Sequence, residues 1–310
     1  CPGDNTMMTG LGPELIKHIE REGWQGKTID ISHAKDLRSE ILGQHRRGDI
    51  EENFYNYLNQ CLNYNVPEGD PPLRSIIAIA YPQPIIDVSF EIDDGTFTAL
   101  LPPTYNYRKD EKVINSVRGI LQAEGYRVEG SRLPKKALAV HSGLAEYGKN
   151  NIAYIEGFGS FHRLVALYSD MPCESDNWSE PRMASECEGC EICTDACPTG
   201  AIDPERFIIR AERCLTFFNE GIESIPDWIE GSWHNALLGC LRCQMPCPMN
   251  RDRIRERENV SFDRDETRMI LGGADPSELN VETVDKLGML GMEGDVQLMS
   301  RNLRLLMERD

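Results

Sequence analysis

Apolar positions follow a helical period at the start of the chain. Leu11, Leu15, Ile16 and Ile19 share one face, and Leu37, Ile41 and Leu42, then Phe54, Tyr57 and Leu58, continue the spacing, so residues 11–60 are predicted helical. Residues 65–72 are rich in proline and glycine and read as a linker. The period then shortens. The run Ile76-Ile77-Ala78-Ile79-Ala80 predicts a strand over 75–81, and residues 88–92 and 96–101 flank Asp93-Asp94-Gly95 as a hairpin. An amphipathic helix is expected over 110–124, closed by Gly125, and a short strand over 126–129. Pro134 opens a helix over 134–141, and strands at 152–156 and 161–169 surround Gly157-Phe158-Gly159. Mixed strands and helices predict an α/β (α+β) domain over residues 71–170, behind a helical segment over 1–70.

After residue 170 the periodicity stops. Residues 171–186 are a polar, acidic connector into a cysteine-rich domain placed at 171–255. A charged stretch, 251–257, then leads into a helical tail over 256–310, with Asp275-Pro276-Ser277 marking a helix start.

Of the 11 cysteines, eight lie between Cys187 and Cys247, while Cys1, Cys61 and Cys173 are scattered. The first four read Cys187-x2-Cys190-x2-Cys193-x3-Cys197-Pro198, the bacterial ferredoxin run whose fourth cysteine serves a different cluster from the first three. That logic demands a second group, and Cys214 followed by Cys240-x2-Cys243-x3-Cys247-Pro248 supplies it. One [4Fe-4S] cluster is expected on Cys187, Cys190, Cys193 and Cys247, the other on Cys197, Cys214, Cys240 and Cys243. The 25 residues between Cys214 and Cys240, with Trp228 and Trp233, are an insertion expected to be helical. Structural zinc prefers CxxC pairs at longer gaps and fits three successive two-residue gaps badly. A disulfide framework would spread its cysteines rather than cluster them.

Charge narrows the partners. A net charge of −18 disfavours nucleic acid, which is normally met by a basic face, although His45-Arg46-Arg47 and Lys135-Lys136 are local exceptions. Glu186, Glu188, Glu191 and Asp195 read either as a solvated face or as a docking patch for a basic electron donor. No apolar run reaches the roughly 18 residues that span a bilayer. No signal peptide is visible, so a cytoplasmic location is expected. The start at Cys1 rather than methionine reads as a trimmed chain, with a lipoprotein start as the alternative.

Before the cysteines stands a glycine-bearing loop, with Ser142, Gly143, Leu144, Gly148, Lys149 and Asn150, followed by Gly159 and Ser160. Small residues there would let backbone approach a bulky ligand. The order Leu-Ala-x-x-Ser-Gly-Leu … Gly-Lys-Asn … Gly-Ser, the ferredoxin run with Cys-Pro-Thr-Gly-Ala-Ile, and Gly-Cys-Leu-Arg-Cys-Gln-x-x-Cys-Pro-x-Asn together resemble the epoxyqueuosine reductases over roughly residues 72–250. The resemblance implies a nitroreductase-like α/β domain that binds cobalamin through those loop residues, followed by a double-cluster ferredoxin-like domain that feeds it electrons. It implies an iron–sulfur oxidoreductase of the epoxyqueuosine-reductase type, served by an external donor of the ferredoxin or flavodoxin type. The substrate would be a small molecule or modified nucleoside. tRNA is the less favoured partner because of the acidic charge and short tail. A non-catalytic electron-transfer module is the remaining alternative.

The chain departs from the family at Ala145-Glu146, where a glycine and an aromatic residue are usual, and at Met249. The family's Val-Asp pair, whose aspartate is the proton donor, aligns with Val128-Glu129, which makes Glu129 the expected catalytic acid. Tyr105, Tyr107, Tyr147 and Tyr154 are alternative donors, and His141 and His162 are candidate contacts for corrin or substrate.

Overall fold

The computed structural model describes residues 10–93, 95–103, 107–221 and 224–308. Cys1, Asp94 and Tyr105 lie outside the described residues, as does the side chain of Tyr107. The chain opens with α1 (Leu11–Arg21), β1 (Gln25–Asp30), α2 (His33–Arg46) and α3 (Glu52–Cys61). Next come β2 (Ser75–Pro82), β3 (Ile85–Ile92), β4 (Gly95–Leu101), α4 (Tyr107–Ala123), β5 (Val128–Gly130) and α5 (Lys135–His141). Two short strands, β6 (Glu146–Tyr147) and β7 (Ala153–Tyr154), precede β8 (His162–Ser169). The cysteine-rich segment holds α6 (Ile192–Asp195) and α7 (Leu215–Glu220), and the chain ends with β9 (Arg257–Phe262), α8 (Arg264–Gly272), α9 (Val281–Leu290) and α10 (Val296–Met307). Among the described residues no helix is long and apolar enough to cross a membrane.

Four strands in the order β1-β2-β8-β5, all antiparallel, form the main sheet. The unbroken apolar run of β2 follows from its position, because both faces of the sheet are covered. Ile77, Ile79 and Tyr81 face Leu15 and Ile19 of α1 and Val113, Val117 and Leu121 of α4. Ile76, Ala78 and Ala80 face Leu37 of α2 and residues 137–140 of α5.

Residues 11–60 are therefore not continuously helical. Strand β1 intervenes, and its sequence Gln-Gly-Lys-Thr-Ile-Asp carries one large apolar side chain, so no periodicity announces it. Gly26 is required there. A Cβ at that position would stand 2.9 Å from Ile19 Cδ1 and 3.3 Å from the Ala78 carbonyl oxygen, so glycine lets α1 lie directly on the edge strand.

A second sheet has the order β4-β3-β9, with β9 parallel to β3. The segment expected as a helical tail thus begins with a strand. Its pattern, Arg-Glu-Asn-Val-Ser-Phe, buries only Val260 and Phe262, which conceals it among charges. Phe262 pairs in register with Phe90, their rings stacked at 5.4 Å. Both belong to a core completed by Ile270 of α8, Leu287 of α9, Leu303 of α10, and Leu237 and Leu238 from the cysteine-rich segment. The Asp275-Pro276-Ser277 signal forms a capping box on a single 3-10 turn, and Asn280 caps the α9 helix that follows.

The insertion expected to be helical is only partly so. Among its described residues, α7 and one 3-10 turn at Gly231–Trp233 are its regular elements. Buried Asn302 of α10 holds its two arms together by donating to the carbonyls of Asn219 and Leu237, each at 2.9 Å. The C-terminal helix thereby fixes the chain that carries Cys214 and Cys240.

Candidate functional site

The eight clustered cysteines line two cavities. Cys187, Cys190, Cys193 and Cys247 line a small one of about 30 Å³. Cys197, Cys214, Cys240 and Cys243 line a large one of about 730 Å³. Mutual electrostatic influence sorts the thiols in the same way. Cys193 feels Cys187, Cys190 and Cys247, while Cys240 feels Cys214 and Cys197, and Cys243 feels Cys240 and Cys214. Cys197 therefore leaves its sequence neighbours for the later cysteines, and Cys247 joins the earlier ones. Cys243 also feels Cys193, so the two groups adjoin. Among the described residues no three His, Cys, Asp or Glu side chains close on a single metal ion. Cys61 is exposed and Cys173 is half-buried, and neither lines these two cavities.

Burial raises the Cys187, Cys193 and Cys214 thiols, lifts Cys240 to about 12, and holds Cys243 well above its ordinary value. Metal binding at these thiols would release their protons. Backbone donors already point at the sulfurs. Lys149 N–H donates to Cys187 Sγ and Arg242 N–H to Cys240 Sγ, both at 3.4 Å, and the Lys149 ammonium donates to the Cys190 carbonyl at 2.5 Å. Two groups of four soft thiol donors fit iron–sulfur clusters.

The segments from the α/β side are stitched to the cysteines by amides. Asn250, with no exposed surface, accepts from Ser160 N–H at 2.9 Å and donates to Ser160 Oγ at 2.8 Å and to the Gln244 carbonyl at 2.9 Å. Asn150 donates to Tyr154 Oη at 3.0 Å. Burial, and then the neighbouring Cys247, push the Tyr154 phenol far up, so it keeps its proton.

The large cavity separates the cysteine segment from the α/β domain. On the α/β side it is lined by Lys135 and Lys136 at the start of α5, by Asn150–Ala153, and by His162, Arg163 and Leu164 at the start of β8. Lys136 is open to the cavity but surrounded by protein elsewhere. Its ammonium donates to Asn151 O at 2.7 Å and Asn151 Oδ1 at 2.8 Å. Burial lowers it to about 8, against the opposing pull of Cys214 and Glu40. Burial also lowers His162 to about 4, which leaves the ring neutral at neutral pH, with Nδ1–H donating to the Gly159 carbonyl at 3.1 Å. Arg163 is held by Asp110 at 2.5 Å, and Asp110 accepts from Tyr81 Oη at 2.7 Å.

The residues expected to bind cofactor divide sharply. Asn150 and Ser160 line the large cavity, and Gly148, Lys149 and Asn150 line the small one. Ser142, Gly143, Leu144 and Gly159 line neither. Ser142 is fully buried and bonds back to the Ala139 carbonyl, Gly143 turns the chain at φ +70° after α5, and Leu144 packs in the core under the main sheet. Gly159 serves contact within the protein, since a Cβ there would stand 2.4 Å from Asn250 Oδ1.

Glu129 does not reach the large cavity either. Strand β5 sets it opposite Tyr168, five residues along β8 from Arg163, about 17 Å at the usual strand rise. Pairing continues through Gly130 opposite Leu167, which keeps Glu129 on the sheet rather than on a loop over the cavity. Tyr147 packs edge-on against Phe207. His141 is buried at the end of α5, bonded to Glu40 of α2 at 2.8 Å and stacked on Trp178, away from both cavities. In the sequence Lys135 and Lys136 stand out only as a basic patch. Their place on the cavity wall depends on how α5 meets β8, which no local pattern reveals.

Residues 186–250 match the family described as the 4Fe-4S double cluster binding domain. Over 125 residues the chain is 36% identical to the epoxyqueuosine reductase of Cyclobacterium marinum, covering 40% of this chain and 39% of that protein. The chain is similar to the epoxyqueuosine reductases. That of Bacillus subtilis is 32% identical over 127 residues, covering 41% of this chain and 31% of that protein. The matched stretch thus spans well under half the length of these curated relatives.

The fold extends the likeness. The structure of epoxyqueuosine reductase from Streptococcus thermophilus superposes with a TM-score of 0.63 at 20% identity, over 96% of this chain and 80% of that one. A crystal structure of epoxyqueuosine reductase with an epoxyqueuosine-modified tRNA-Tyr stem loop gives 0.66 at 20% identity, over 96% and 81%. The mixed α/β architecture of the present chain is therefore the epoxyqueuosine-reductase fold.

Proposed function

We propose that this chain is an iron–sulfur reductase of the epoxyqueuosine-reductase type. Cys187, Cys190, Cys193 and Cys247 hold one [4Fe-4S] cluster, and Cys197, Cys214, Cys240 and Cys243 hold the other. The large cavity receives cobalamin. The observation that carries this reading is the cavity itself: all four thiols of the second group line one wall, and α/β residues line the other. A bound corrinoid would supply a redox centre able to pass electrons to a polarised carbon or oxygen.

The protein's own part is geometry and protons. Ile152, Ala153, Leu164, Ala201 and Ile202 provide an apolar bed, and Lys136 holds a proton at Nζ that burial loosens toward neutral pH. We assign the proton-holding role to Lys136 rather than Glu129, since Lys136 stands on the cavity wall. The substrate class is a modified nucleoside carrying an epoxide, free or within tRNA, by likeness to the relative determined with a modified stem loop. Glu186 rims the small cavity, with Glu188 and Glu191 close in sequence, and this acidic edge suits an electron donor with a basic face. Reduced thiols of this kind suit the cytoplasm.

Cobalamin titrated into anaerobic, iron-loaded protein should give a saturable absorbance change at about one equivalent. With a low-potential reductant, the loaded protein should then deoxygenate epoxyqueuosine. An absorbance trace that never saturates, in protein carrying its full iron, would sink the proposal.

A further inference from the structure

The walls of the large cavity are charged against the balance of the chain. The sequence holds 51 acidic residues and 33 lysines and arginines. Yet the cavity is lined by the cations Lys135, Lys136, Arg163 and Arg242 and by one carboxylate, Glu220. A cavity walled with cations in so acidic a chain concentrates anions.

Part of that charge answers the thiols. Arg242 donates its backbone N–H to Cys240 Sγ, and Lys136 feels Cys214. Glu220 lies on α7 and is also felt by Cys214, so it stands on the same wall. Lys135 and Arg163 belong to the opposite wall. Arg163, in register with Tyr81 across the sheet, is held by Asp110 through Nη2 at 2.5 Å and Nε at 3.4 Å. Tyr81 Oη donates to the same carboxylate at 2.7 Å, so buried Asp110 is engaged in fixing the guanidinium. Lys135, half-buried at the start of α5, feels Asp110 and Arg163. Among the described residues it makes no hydrogen bond or ion pair. Arg163, Asp110 and Lys135 therefore leave one positive charge on this wall uncompensated. A charge held partly out of water is costly until a counter-charge meets it.

We propose that Lys135 and Arg163 form a phosphate-binding subsite in the large cavity. The inference deepens the reading of that cavity given above and rests on it as the chamber for ligands. An ammonium near a fixed guanidinium offers phosphate oxygens charge-assisted hydrogen bonds from both. The phosphate has two sources, a nucleotide substrate or the nucleotide loop of a corrinoid.

Calorimetry on anaerobic, iron-loaded protein tests the subsite with inorganic phosphate, guanosine and guanosine monophosphate. Absorbance titration compares cobalamin with cobinamide, which lacks the phosphate. The wild type should bind inorganic phosphate saturably, and more weakly as salt rises. Lys135→Gln should weaken that binding about tenfold, and Lys135→Arg should restore most of it. A substrate phosphate predicts that the monophosphate binds more tightly than guanosine. A cofactor phosphate predicts that cobalamin binds more tightly than cobinamide. Lys135→Gln should erase whichever margin the wild type shows. Phosphate binding that is absent, or that Lys135→Gln leaves unchanged, would overturn the subsite. So would the lack of a margin in both pairs, which marks an adventitious ion only. If neither corrinoid saturates while the monophosphate keeps its Lys135-dependent margin, the cofactor reading fails and the subsite stands.

Discussion

Replacing Cys247 with serine should damage the cluster that begins at Cys187, not the one that holds its close neighbours Cys240 and Cys243. Cys247 lines the small cavity with Cys187, Cys190 and Cys193, whereas Cys240 and Cys243 line the large one. A serine hydroxyl is a poor ligand for this soft site, so Cys247→Ser should lose roughly half of about eight irons. Cys197→Ser should lose the other half, although Cys197 follows Cys193 by only four residues. The signal that survives in one variant should be the one missing from the other. Iron and sulfide analysis with electron paramagnetic resonance reads both results. Identical surviving signals in Cys197→Ser and Cys193→Ser would mean that the two share a cluster, and the crossed arrangement would fail.

The second large effect concerns stability. Phe262 has no exposed surface, stacks on Phe90 at 5.4 Å, and sits in the core shared by β3, β4 and the three C-terminal helices. Phe262→Ala should cost about 3–5 kcal/mol, the usual range for emptying a buried aromatic site. Leu237 and Leu238 lie in the same core, so the loss should also loosen the chain that presents Cys240. Urea unfolding followed by circular dichroism should show a lower midpoint for the main transition, and metal release should begin at lower denaturant. A variant that unfolds at the wild-type midpoint would show residues 257–308 to be a dispensable appendage.

The cysteine chemistry was legible because ligand spacing is local. Two-residue gaps and a following proline identify the ferredoxin run without any tertiary information, and the crossed grouping follows from it. Strand β2 was legible too, since burial on both faces demands an unbroken apolar run. β1 and β9 were hidden for the opposite reason. Each lies at the edge of its sheet and buries few large apolar side chains, and pairing with a distant strand makes the element.

The cofactor loop was legible as a motif, and its residues divide between the cavities and the core. Ser142, Gly143 and Leu144 are there to end α5 and fill the core, and Gly159 makes room for Asn250. Asn150 and Ser160 do stand on the large cavity. Lys136, His162 and Arg163 join them there only because α5 and β8 begin at the same end of the sheet, and Glu129, at the other end of β8, is left behind.

The central claim is a double cluster set against a corrinoid cavity, and metal stoichiometry tests it most directly. Protein purified and reconstituted without oxygen should be assayed for iron, sulfide and zinc, then incubated with cobalamin, desalted and assayed for cobalt. The account predicts about eight irons and eight sulfides per chain, with about one cobalt retained. Zinc in place of iron, or full iron with no retained cobalt, would contradict it.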